Sequence, residues 1–322
     1  MNDKAGEPTS IADELVSASR VHSPLASVVH FHKSPIRWVR REIEITARMM
    51  VNNFLVVVSG TQITLGVAFK NDLTGIDLMK VYLVGWVLSF LYTYVFDAGN
   101  QARGGLEDSI NKPWRPVPAG LVTEQGLRVR YVVGNLLYAF LAWWFNVLEW
   151  ALLWQVSMIA LNRFQGRWYI ISKQITMQAG VVAMFAIAWA AVEPVNSLTW
   201  QWIFFAGVPY VFPLIMEDLR DVKGDGVIGR RTPISVFGER PVRIWCAAWT
   251  FCLPFIQHFG LYVPSGASMQ RILVCDVLVL GTCWLVCYRL LRYREPKRDA
   301  ITYLVFYLSF FLSLSAMLVL YF

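Results

Sequence analysis

Two short acidic stretches hold the residues whose types and spacing could do chemistry. The first is YVFDAGNQARGGLEDSINKPWRPVPAG and the second FPLIMEDLRDVKGDGVIGRRTPISVFG. In the first, Asn100, Gly104 and Asp108 recur every four residues, with Glu107 beside Asp108; in the second, Asp218, Asp221 and Asp225 fall at i, i+3 and i+7. On a helix each set shares one face, so several oxygen ligands enter one cavity. Carboxylates with an Asn suit a hard cation, and Mg²⁺ typically binds through one or two carboxylates plus substrate phosphates. Lys112, Arg115, Lys173, Lys223, Arg230 and Arg231 are interleaved with these acids. Acid and base at one cavity mouth imply an anion bridged by metal, and a diphosphate fits. Either stretch alone also reads as a solvated salt network at a helix end. Two of them on one face, each followed by Gly/Pro turns and bases, favour a ligand site.

The elements that must position these residues are membrane helices. The chain has 322 residues, 56% hydrophobic and 16% charged, against about 25% charged in an ordinary soluble domain. That composition excludes a disordered chain, a collagenous chain and a small disulfide scaffold. A bilayer core needs roughly 20 apolar helical residues, and nine stretches qualify: 50–69, 78–98, 131–146, 147–163, 173–192, 200–216, 242–263, 272–291 and 301–321. The third and fourth nearly touch and read as a hairpin turning at Asn146–Glu149. With this count, 26 of the 29 Lys and Arg fall on one side and only Lys70, Lys80 and Arg271 on the other. Basic loops favour the cytoplasm, so the N-terminus is expected there and the C-terminus opposite. Much of the positive charge is thus topological, a smaller part around Lys112, Arg115, Lys173 and the loop after the sixth span faces the acids, and no nucleic-acid partner is expected.

Residues 1–35 mix Asp, Glu, Ser, Pro and His without an apolar core, so a flexible cytoplasmic tail is expected rather than a signal peptide. Residues 36–322 form the membrane domain, and 36–48 read as a basic amphipathic helix on the cytoplasmic face. Cys246, Cys252, Cys275, Cys283 and Cys287 lie in apolar runs and read as inert thiols. His22, His30, His32 and His258 are given no role.

An apolar cavity behind the acidic face would hold a hydrocarbon tail, which makes the expected ligand a lipid diphosphate. At these residues the chain resembles the UbiA superfamily of intramembrane prenyltransferases. That family's second motif, D-x-x-D-x-x-G-D, matches Asp218, Asp221, Gly224 and Asp225. The tail of its first motif matches Asn111, Lys112, Pro113, Arg115, Pro116 and Gly120. Its aromatic-to-Lys element matches Tyr169 and Lys173. One departure stands out: the family's first-motif Asp falls on Gly104, and Glu107 is the candidate replacement. This form of the motif looks like a fungal branch that includes membrane terpene cyclases.

The resemblance implies an all-α polytopic membrane protein, with nine transmembrane helices in a UbiA-like bundle around a central cavity open to the cytoplasmic side. It implies Mg²⁺ carried by Asp221, Asp225 and Asp108, assisted by Asn100, Glu107 and Asp218. Lys112, Arg115 and Lys173 would hold the diphosphate, with lesser roles for Lys223 and Arg231. Tyr92, Tyr94, Phe96, Trp202, Phe204, Phe205, Tyr210 and Phe212 are candidates to face an allylic cation. The activity implied is ionisation of a farnesyl or geranylgeranyl diphosphate and cyclisation of the cation in terpenoid biosynthesis. Prenyl transfer to an aromatic acceptor is the alternative, and a transporter or membrane scaffold the non-enzymatic one. The expected partners are the isoprenyl diphosphate and membrane lipid, with no obligate protein partner. In a eukaryote the expected location is the endoplasmic reticulum membrane.

Overall fold

The computed structural model describes residues 35–163 and 168–321. The tail before residue 35, with His22, His30 and His32, and Arg167 lie outside them. Among the described residues every regular element is helical, as the composition predicts. Two compact units divide between Ile43 and Glu44, so the first helix, α1 (Pro35–Met50), runs across the boundary. Its buried residues are Ile45, Met49 and Met50, all past that boundary.

The following helices are α2 (Phe54–Lys70), α3 (Gly75–Gln101), the short α4 (Gly105–Asn111), α5 (Glu124–Trp144), α6 (Leu148–Arg163) and α7 (Tyr169–Ala190). Then come the irregular α8 (Ser197–Val227), the short α9 (Pro233–Phe237), α10 (Glu239–Ser265), α11 (Met269–Arg292) and α12 (Pro296–Leu320). Every stretch expected to span falls on one of these. Six described helices, α3, α7, α8, α10, α11 and α12, are long and apolar enough to cross a membrane; a seventh span results if α1 and α2, bent by 84°, count as one. The expected number of nine therefore reduces to six or seven on this measure. The shortfall has local causes. α2 is 17 residues long and α6 only 16, while α5 spends its first turns on Glu124, Arg128 and Arg130.

The α5–α6 hairpin forms where expected, but its turn sits at 145–147, with Leu148 and Glu149 already helical. Asn146 takes the left-handed conformation there, φ 56°, a backbone state Asn tolerates better than most residues. At the start of α5, the Thr123 hydroxyl accepts from the Gly126 N–H at 3.0 Å and satisfies a donor left over by the first turn.

α8 is irregular because Pro209 and Pro213 withhold two backbone donors. It runs through a π turn at Ile203–Gly207 and a 3₁₀ turn at Phe212–Glu217 before regular α geometry returns at Asp218. α3 packs on α2 and α5, α7 on α6 and α2, and α12 on α11 and back against α2. Arg243 of α10 ties these layers at one end: both its terminal nitrogens meet Asp299 of α12, at 2.8 and 2.6 Å. Its Nε meets Glu239 at 2.7 Å.

Candidate active site

The two acidic stretches converge on one cavity. α3 stops at Gln101, and the chain breaks at 102–104 before α4 carries Glu107 and Asp108. The expected single helical face through Asn100, Gly104 and Asp108 is therefore split, yet all three still line the cavity with Glu107. Asp218, Asp221 and Asp225 keep their shared face on the last segment of α8, and all three are buried. The cavity holds about 1420 Å³ of empty space, its open mouth included.

At the mouth, buried charge is neutralised pair by pair, as it must be away from water. Asp108 Oδ1 meets Arg115 Nη1 at 2.6 Å, and Asp221 Oδ2 meets Lys112 Nζ at 2.6 Å. Asp218 Oδ1 meets Lys173 Nζ at 2.7 Å. Arg230 joins the two stretches: Nη1 meets Asp225 Oδ1 at 2.7 Å, and Nη2 meets Glu107. Burial pushes the Asp108 carboxyl above the ordinary range, and Glu107 adds to this, against the opposing pull of Arg115 and Lys112.

The structure thus brings together Asn100, Glu107, Asp108, Lys112, Arg115, Lys173, Asp218, Asp221 and Asp225. It does not bring Lys223 and Arg231, which are exposed and do not line the cavity. Arg230, one position earlier, occupies the mouth instead. Glu217 also lines it, and Arg220 meets Glu217 at 3.0 Å. Sequence reading passed over Glu217, although its i, i+4 spacing to Asp221 was a usable signal.

Behind the charged mouth the wall is aromatic. Nine rings line the cavity, from Tyr92, Phe96, Trp154, Tyr169, Tyr210, Tyr303, Phe306, Tyr307 and Phe310. Tyr92 stacks on Trp154 with centroids 4.5 Å apart, and the Trp154 indole donates to the Tyr92 carbonyl at 3.1 Å. Tyr210 packs on Phe310 at 5.0 Å, and its hydroxyl donates to the Ser309 carbonyl at 3.1 Å. Of the expected cation-facing rings, Tyr92, Phe96 and Tyr210 are in place. Tyr94 stacks on Phe90, Trp202 packs towards Tyr321, Phe212 packs on Trp249, and Phe204 and Phe205 are exposed. The rings supplied by α12 carried no motif in the sequence, because only tertiary packing turns that helix towards the cavity.

Among the described residues, no group of three or more His, Cys, Asp and Glu converges tightly enough to cage a metal ion. The donor set nevertheless suits a hard cation shared with a ligand. Asp108 Oδ2 and Asp218 Oδ2 are buried oxygens without a hydrogen-bond partner. A cation that uses one or two carboxylates and takes its other oxygens from water and phosphate needs no closed cage.

Comparison with known proteins agrees with this architecture. The UbiA prenyltransferase family matches residues 55–314. The chain is 34% identical over 221 residues to somaliensene A/B synthase of Streptomyces somaliensis, covering 68% of this chain and 73% of that one. It is 30% identical over 256 residues to the diterpene cyclase eriG of Hericium erinaceus, covering 77% and 79%. It is 29% identical over 254 residues to the polyprenyl transferase eriF of the same organism, covering 76% and 83%. A solved structure of digeranylgeranylglyceryl phosphate synthase superposes with a TM-score of 0.57 at 14% identity, over 86% of this chain and 98% of that one. At that identity the likeness speaks for the fold.

Proposed function

The chain belongs to the UbiA prenyltransferase family, and from that premise we propose that it is a membrane terpene cyclase using an allylic prenyl diphosphate and Mg²⁺. One observation carries the reading: charged side chains at the mouth and nine aromatic rings line one and the same cavity. Likeness to a somaliensene synthase and a diterpene cyclase supports it.

The geometry supports the following division of labour. Asp108, Asp218, Asp221 and Asp225, with Asn100 and Glu107, would hold Mg²⁺, which neutralises the diphosphate as it leaves. Lys112, Arg115 and Lys173, each within ion-pair reach of one of those acids, would bind the same diphosphate. When the C1–O bond breaks, its electron pair leaves with the diphosphate and an allylic cation remains in the chamber. The rings exclude water and face the cation, each worth about 0.5–2 kcal/mol. A distal alkene of the same chain attacks the cation and closes the ring, and the cyclic cation gives up a proton to the released diphosphate to leave a cyclic hydrocarbon.

The reading includes nine crossings with the mouth on the cytoplasmic side. The 26-to-3 sorting of Lys and Arg supports it, as does the exposed apolar stripe of Leu136, Phe140, Trp143 and Trp144 on α5, which suits contact with lipid. The second reading, transfer to an aromatic acceptor, draws on the likeness to a polyprenyl transferase. Membranes containing the protein, given ten-, fifteen- and twenty-carbon prenyl diphosphates with Mg²⁺, separate the two. A cyclic hydrocarbon formed without acceptor is expected. Product seen only after an aromatic acceptor is added would establish the second reading.

A further inference from the structure

Arg230 differs from Lys112 and Arg115 at the mouth in three respects. It pairs with both acidic stretches at once, through Glu107 of α4 and Asp225 of α8, whereas Lys112 and Arg115 each hold one carboxylate oxygen at 2.6 Å. It lies past the end of α8, on a turn where Gly229 takes φ 64°, while Lys112 and Arg115 are more deeply buried. Its guanidinium also sits 5.1 Å from the centroid of the Tyr169 ring, which is 5.9 Å from Lys173 Nζ.

We propose that Arg230 is an exchangeable counter-ion of the mouth: it holds Glu107 and Asp225 in the free protein, gives them up to the divalent metal, and then binds the diphosphate. The inference rests on the reading that the mouth takes a metal and a diphosphate. Its physical basis is charge. Glu107 and Asp225 share a single positive charge on Arg230, and a divalent cation between them supplies two. The released guanidinium keeps five N–H donors whose fork matches phosphate oxygens. The Arg230 N–H is held by the Asp225 carbonyl at 2.9 Å, so the exchange is a movement of the side chain, and the Tyr169 ring, 5.1 Å from the guanidinium and 5.9 Å from Lys173 Nζ, stays a partner for the freed cation.

Two binding measurements on the purified full-length protein, neither needing turnover, test this. Mn²⁺ serves as a spin probe for the metal, and inorganic diphosphate serves for the anion. Arg230→Gln removes the competitor, so Mn²⁺ without diphosphate is expected to bind roughly tenfold tighter, the equivalent of about 1.4 kcal/mol. Diphosphate in saturating Mn²⁺ is expected to bind at least roughly tenfold weaker. Arg230→Lys, a point charge unable to fork between two carboxylates, should fall between wild type and Gln on both readouts, and it carries the test if the Gln variant misfolds. Mn²⁺ affinity unchanged or weakened in a folded variant would overturn the proposal and leave Arg230 a fixed structural tie. If both shifts appear but no prenyl diphosphate is consumed, the exchange stands and the cyclase reading fails.

Discussion

Asn111 holds the backbone at Gly224 in both directions: its Nδ2 donates to the Asp221 carbonyl at 2.9 Å, and its Oδ1 accepts from the Gly224 N–H at 3.0 Å. One side chain from the first acidic stretch thereby sets the register of the second. The contact is so close that a Cβ on Gly224 would collide with the Asn111 amide. Gly224→Ala should cost about 1–3 kcal/mol through overpacking and separate Asp221 from Lys112. The expected outcome is a lower melting temperature in detergent and reduced diphosphate release. A variant with wild-type melting and turnover would show the tie to be dispensable.

The carboxylates of the second stretch should dominate turnover. Asp221→Asn and Asp225→Asn keep the side-chain shape while removing the charge. Each should lower the rate on the order of 10²-fold or more, as loss of a preorganised electrostatic group does. The protein should remain in the membrane fraction. Retained turnover in both would remove these residues from the site.

Gly104 falls where the motif read from the sequence leads one to expect an Asp. A Cβ there would lie 3.1 Å from Asp108 Oδ2, so a carboxylate at this position sets like charges together, worth about 1–4 kcal/mol at close range. Gly104→Asp should therefore lower product formation rather than improve it. Increased turnover would mean that the missing Asp is a defect and not an adaptation.

The ring lining should control product identity more than rate. Phe306→Leu and Phe310→Leu remove one cation-facing ring each, worth about 0.5–2 kcal/mol. Gas chromatography should show a larger share of acyclic or partly cyclised products. An unchanged product profile in both variants would argue that the chamber acts by shape alone.

Arg243 tests the scaffold apart from the chemistry. It is buried and paired to Asp299 through two hydrogen bonds. Arg243→Ala strands a buried carboxylate and should cost about 3–5 kcal/mol, seen as a large fall in melting temperature. Arg243→Ala combined with Asp299→Ala should recover part of that loss.

Sequence reading located the acidic stretches and the helices that carry them because both are local patterns. Asp218, Asp221 and Asp225 share a face through spacing alone, and apolar runs mark helices wherever they are long enough. What was not legible depended on contacts between distant segments. Arg230 and Arg231 are indistinguishable in sequence, and only the turn after α8 decides which of them reaches Glu107. Tyr303, Phe306, Tyr307 and Phe310 look like any lipid-facing aromatic until α12 packs against α2. Six described helices, or seven with the bent α1–α2 pair, are long and apolar enough to cross a membrane, and α2, α5 and α6 fall outside that measure because they are short or polar at one end. Periodicity cannot distinguish such a helix from a full span.

The central claim is that the charged mouth ionises a prenyl diphosphate and the aromatic chamber closes the ring without a second substrate. The most direct measurement is stoichiometric: purified protein in lipid, a fifteen- or twenty-carbon allylic diphosphate, Mg²⁺ and no acceptor, with diphosphate and organic products counted together. One cyclic hydrocarbon is expected for each diphosphate released, and none of either without divalent metal. Absence of release, or release that yields only a linear alcohol until an aromatic acceptor is supplied, would contradict it.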